Sequence, residues 1–121
     1  MSTSTLPAAV AAYVDAANAF DTDALAATFT EDAMVNDARR EFWGRPAIRE
    51  WLAAEMVGDR VTMEVVEVRE HAGGLIVDAV MDGRYDKTGL PDPLVLTHYL
   101  VVRGGRIAQL VIILNEARTR P

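Results

Sequence analysis

The feature that most constrains this chain is a change of period near Gly58. Before it, Leu6, Val10, Tyr13, Val14, Ala17 and Phe20 recur at helical spacing and form one apolar stripe. Asp21-Thr22-Asp23 supplies a capping signal for a second, short helix marked by Leu25, Ala26 and Phe29. Residues 33–37 read as a short strand that Glu41-Phe42-Trp43 pairs with as a hairpin. Gly44-Arg45-Pro46 then opens a third helix, which buries Ile48, Trp51, Leu52 and Met56 and ends at Gly58. Beyond Gly58 the apolar residues alternate. The alternation slips at Val65-Val66, where a bulge would restore register. It is clean from Leu75 to Tyr85, with Asp78, Asp82 and Arg84 on the opposite face. The last two strands, "PLVLTHYLVVR" and "RIAQLVIILN", meet at Gly104-Gly105, a tight-hairpin signal. Helices first and strands second predict an α+β fold with three helices in its first half, packed on one face of an antiparallel sheet.

Those last strands are apolar on both sides. Leu94, Leu96, Leu100 and Val102 oppose Val95, Tyr99 and Val101, and Leu110, Ile112 and Leu114 oppose Val111 and Ile113. A sheet covered on one side alternates apolar with polar residues. The helices can cover one face, so a second copy of the chain is the expected cover of the other, giving a homodimer through the sheet. The parity of His98 places it with Leu96 and Leu100, on the face assigned to that partner.

Composition narrows the classes. A chain of 121 residues, half hydrophobic and a quarter charged, reads as one domain over 1–121. The absence of cysteine excludes disulfides, thiolate metal sites and a cysteine nucleophile. A net charge of −6 argues against nucleic acid, which needs a basic footprint. Neither a signal peptide nor an apolar run of membrane-spanning length is evident, so a soluble cytoplasmic protein is expected. His71 and His98 lack metal-ligand spacing, and no metal or cofactor is expected. No glycine-rich phosphate loop or nucleophile elbow occurs. Asp78, Asp82 and Arg84 together suggest an acid–arginine–acid epoxide hydrolase site, but the last strand offers Gln109 and Asn115 in place of the second carboxylate. A solvated charged face, or ion pairs, is expected instead.

The order of elements and three segments, "AAYVDAANAFDTDALAATFTEDAMV", "GRPAIREWL" and "LTHYLVVRGGRIAQLVIILNE", resemble the nuclear transport factor 2-like superfamily, in its SnoaL-like and ketosteroid isomerase-like branch. The resemblance runs from about Leu6 to Glu116. It implies a curved sheet wrapped around a long N-terminal helix, a cone enclosing an apolar cavity. In the ketosteroid isomerase branch a tyrosine on the first helix donates to a developing enolate oxygen, and an aspartate ending the first short strand moves the proton. Tyr13 and Asp37 match these positions. The second acid of that branch falls at Thr97, whose hydroxyl can donate but is no strong acid, a departure that argues against steroid isomerisation itself.

Asp37 also has a plain reading as a turn former, and Tyr13 as a packed core aromatic. Asn36, of opposite parity, is expected to point away from the cavity. Phe42 is expected at the lip of the cavity and Trp51 and Met56 in its wall, with Thr97, Tyr99 and Leu114 as further ligand-binding positions. The expectation is a metal-free enzyme for a small apolar, cyclic or carbonyl-bearing molecule. Asp37 would transfer the proton and Tyr13 stabilise the oxyanion, as in an isomerase, cyclase or dehydratase. The alternatives are a binding domain without chemistry and a dimerisation module with a vestigial pocket.

Overall fold

Pro7 precedes α1 (Ala8–Asn18), an eleven-residue helix that buries Val10, Tyr13, Val14 and Ala17. The structure, a computed structural model, describes residues 6–115. The helix is three turns, shorter than the apolar stripe suggests, because Phe20 turns into the left-handed region at φ 55 and stacks under the Arg60 guanidinium, 4.7 Å from its ring centroid. Asn18 ties the end of α1 to the sheet. Its amide donates to Met63 O at 3.0 Å and accepts the Met63 N–H at 2.8 Å.

Asp21 caps α2 (Thr22–Ala27) by accepting the Ala24 N–H at 3.0 Å. Phe29, expected on that helix, instead begins β1 (Phe29–Asp37), which is longer than the predicted 33–37. Helix α2 stops because the Thr28 hydroxyl folds back on Leu25 O at 2.6 Å and Thr28 O accepts the Ile107 N–H from the last strand at 2.8 Å. β1 turns into β2 (Arg40–Trp43) through Ala38 and Arg39, both left-handed at φ 53 and 68. That is the two-residue hairpin geometry with positive φ at both central positions.

Pro46 sits in the first turn of α3 (Arg45–Trp51), which runs on into a π-helical turn, Leu52–Val57. Gly58 follows it, and glycine is required there for a steric reason, not a conformational one. Its φ of −57 is ordinary, but an added Cβ would lie 2.2 Å from Ala54 O.

The remaining strands are β3 (Thr62–His71), β4 (Gly74–Asp82), β5 (Leu94–Arg103) and β6 (Arg106–Leu114). With β1 and β2 they form one curved, unclosed, six-stranded sheet in the order β2-β1-β6-β5-β4-β3. Helices precede the four long strands, as expected. The expected antiparallel pairing holds except between β1 and β6, which run parallel. Strand direction across so long a connection leaves no trace in residue alternation. The bulge falls where the pattern slips, between Val65 and Glu67, and Gly104 and Gly105 turn the last hairpin at φ 60 and 79.

The cross-strand registers decide which face is which. Val77 pairs with His98, His98 with Ile112, and Ile112 with Asp37, so these four share the inner face beneath the helices. Leu100 and Leu110 extend the same core. The face assigned to a partner from parity is therefore the wrong one: His98 and Leu100 are buried by the chain's own helices. The outer face carries Tyr99, Val101 and Ile113, which are 40%, 45% and 47% exposed. Asp78 also lies on the outer side, but it is not solvated. It is buried and accepts the Thr97 hydroxyl at 2.6 Å, and Thr97 in turn accepts the Asn115 amide at 3.0 Å. Asp82 is exposed and bonded by Lys87 at 2.6 Å, while Arg84 lies past the end of β4.

Candidate functional site

The inner face of the sheet, the π-helical turn and the connection from β4 to β5 line an open cavity of about 660 Å³. Its walls include Trp51, Met56, Val61, Met81, Leu94, Leu96, Ile112 and Leu114, and Asn36, Asp37, Arg39, Glu55 and Asp59 line it as polar residues. A largely apolar cavity of this size with few polar groups is the usual form of a small-molecule site.

Asp37 reaches the cavity because it is the last residue of β1, paired with the inward Ile112. Its Oδ2 accepts the Trp51 indole N–H at 3.1 Å and an Arg40 N–H at 3.0 Å. Among the described residues no donor reaches Oδ1. The turn-forming role weighed for Asp37 belongs instead to Asn36, whose side-chain oxygen accepts the Arg39 N–H at 3.1 Å. Asn36 nonetheless stands at the cavity, since the turn brings the strand end around to its mouth.

Arg40 is shared. It gives two N–H bonds to Glu55, at 2.8 and 2.7 Å, besides the one to Asp37. One cation between two carboxylates leaves net negative charge at the mouth. Arg40 and Glu55 are about half exposed, so solvent screens the pairing and it fixes geometry more than it adds stability. The Arg40 guanidinium lies 5.5 Å from the centroid of Phe42, whose ring stacks on Trp51 at 5.7 Å. Phe42, Arg40 and Glu55 thus hold Trp51 and Asp37 in place. Phe42 does not itself line the cavity, contrary to expectation.

Of the other expected site residues, Trp51, Met56 and Leu114 line the cavity. Thr97 and Tyr99 do not. They lie on the outer face, opposite Asp78 and Ile76 of β4, because a one-residue error in parity moves a strand residue to the other side. Tyr13 faces inward, packed edge-on against Phe29 at 5.9 Å, but it lines a separate, very small void with Met63, Val77 and His98. Its hydroxyl is fully buried with no partner among the described residues. Burial, and then the Asp37 charge, push its pKa far up, so it remains a neutral phenol. His98, with Nδ1 3.3 Å from Val77 O, is pushed down to about 4, chiefly by burial. Arg40, Glu55 and Asp59 were missed because they sit at the start of a short hairpin strand, in a widened helical turn and in the turn that follows it, where periodicity carries little facing information. Among the described residues no three His, Asp or Glu side chains gather as a metal site, and no helix is long and apolar enough to cross a membrane.

A curved, open sheet on three helices, with an acid at the mouth of its cavity, defines a protein of the nuclear transport factor 2-like class. The SnoaL-like domain pattern matches residues 10–110, and the chain belongs to that family. A Sinorhizobium meliloti protein whose name proposes a polyketide cyclase is 33% identical, with a TM-score of 0.82 over 93% of this chain and all of that one. A Catenulispora acidiphila protein with a ketosteroid isomerase-like fold, solved with trimethylamine, is 21% identical, with a TM-score of 0.76 over 95% of this chain and 91% of its own. SalBIII, an epoxide hydrolase/cyclase-like enzyme of pyran ring formation in salinomycin, is 21% identical, with a TM-score of 0.72 over 90% and 89% of the two chains. No curated protein matches the chain.

Proposed function

We propose that this protein is an acid–base enzyme that moves a proton on an apolar, cyclic or carbonyl-bearing molecule held in the cavity, as an isomerase or cyclase does. The observation that carries this reading is the Asp37 carboxylate. Both of its donors sit on Oδ2, which leaves the lone pairs of Oδ1 for a proton on the ligand. In such a reaction the C–H adjacent to a carbonyl gives its proton to Oδ1 and its electron pair passes to the carbonyl oxygen. The same carboxyl then returns the proton at another carbon, so nothing is oxidised. The apolar walls hold the ligand's ring against that carboxylate at the cavity mouth.

The reading can be tested without the natural substrate. In D2O, the α-protons of 2-tetralone, a flat cyclic ketone, should exchange faster with the wild-type protein than with Asp37→Asn. Exchange no faster than in buffer would sink the proposal.

The position of Tyr13 outside the cavity wall favours a second reading, a binding domain for an apolar ligand without chemistry. In either case we infer that a second copy of the chain covers the outer face, where Tyr99, Val101 and Ile113 are exposed together.

A further inference from the structure

Tyr13 is the phenol that the family resemblance nominates as oxyanion donor, yet the phenol that lines the cavity with Asp37 is a different one. Tyr85 follows β4 in the connection to β5 and forms part of the same wall. Its placement is built. Gly83 lies against the ring, so close that a Cβ there would meet Cδ1 and Cε1 at 3.0 Å. The Arg84 N–H donates to Asp59 O at 2.6 Å, which pins this connection beside the π-helical turn. Lys87, bonded to Asp82 at 2.6 Å, lies 5.8 Å from the ring centroid. The one acceptor of the Tyr85 hydroxyl among the described residues is Met81 O, at 3.5 Å. A bond at that limit of distance is weak and is readily exchanged for a better acceptor.

We propose that Tyr85, and not Tyr13, donates the hydrogen bond that the ligand's carbonyl oxygen receives in this cavity. The assignment rests on the cavity being a small-molecule site, as proposed above. It places the donor to the developing charge on the β4–β5 connection and the proton carrier on β1, so the two functions come from opposite halves of the chain. Burial raises the pKa of Tyr85, with a further push from Asp82, which keeps the phenol in its donating form at neutral pH. Tyr13 is left as a core residue.

The test uses two probes of nearly the same shape. 2-Acetylnaphthalene carries a carbonyl acceptor and no O–H that Asp37 could bind; 2-ethylnaphthalene lacks the acceptor. Calorimetry should show the ketone binding more tightly to the wild type, and Tyr85→Phe should remove roughly tenfold of that advantage, the worth of one hydrogen bond. Tyr13→Phe should keep it. An advantage that survives Tyr85→Phe, or that disappears with Tyr13→Phe, overturns the assignment and leaves the cavity reading standing. Failure of the wild type to bind either probe overturns the cavity reading and the assignment with it. Should Tyr85→Phe fold poorly, the carbonyl stretch of the ketone bound to wild type decides. A band moved down from its position in hexane supports the donor, and an unmoved band overturns it.

Discussion

The indole N–H of Trp51 and the carboxylate of Asp37 meet at 3.1 Å, joining the last residue of α3 to the last residue of β1. Trp51 is almost wholly buried, so its N–H would lack a partner without Asp37. The acid at the cavity is therefore also a structural acceptor, and its substitution reads differently for Asn than for Ala.

Asp37→Asn keeps an oxygen that can accept from Trp51. It should leave the fold intact and lower the proposed proton transfer by roughly 10²–10⁴-fold. Asp37→Ala strips the indole of its acceptor and should in addition cost about 1–3 kcal/mol of stability. Paired denaturant titrations and α-proton exchange rates separate the two effects.

Asn18 bonds both backbone groups of Met63. Asn18→Ala should destabilise the protein by about 1–3 kcal/mol, since a donor and an acceptor of β3 lose their partner together. The midpoint of urea unfolding should fall with no change in slope.

Gly58→Ala should cost about 1–3 kcal/mol, the range of an overpacked site, because the new Cβ would crowd Ala54 O at 2.2 Å. Backbone freedom does not enter, as Gly58 has a helical φ. A variant as stable as the wild type would show that the π-helical turn relaxes to an α-helical one.

His98 links stability to pH. Its pKa falls from 6.5 to about 4 on folding. Between those values the unfolded chain holds a proton that the folded chain does not, so stability rises with pH across this window. The contribution is fully present above pH 6.5, is lost progressively as pH falls, and is gone below about 4. The loss amounts to about 3 kcal/mol for a group this deeply buried. His98→Met should remove that slope, seen as a flatter dependence of unfolding free energy on pH between 7 and 4.

Light scattering at micromolar concentration should report twice the chain mass. Tyr99→Lys with Val101→Lys, which charges the outer face at two residues that do not line the cavity, should halve it. A wild-type monomer under those conditions contradicts a sheet-to-sheet pair.

Much of the fold was present in the residue pattern. The helix-to-strand change at Gly58, the bulge at Val66 and the turn at Gly104-Gly105 are local, set by side-chain period and backbone sterics within a few residues. The position of Asp37 at a strand end was legible for the same reason. What period alone could not decide was facing. Alternation divides the residues of a strand into two sets but does not say which set the helices cover, and β5 is apolar in both. Only the registers across β4, β5 and β6 put His98 inside and Thr97 and Tyr99 outside. The parallel pairing of β1 with β6 and the Asp37–Arg40–Glu55 arrangement likewise belong to tertiary structure. So does the placing of Tyr85, and not Tyr13, in the cavity wall. Each joins segments distant in the chain, whose meeting depends on how the whole sheet curves over the helices.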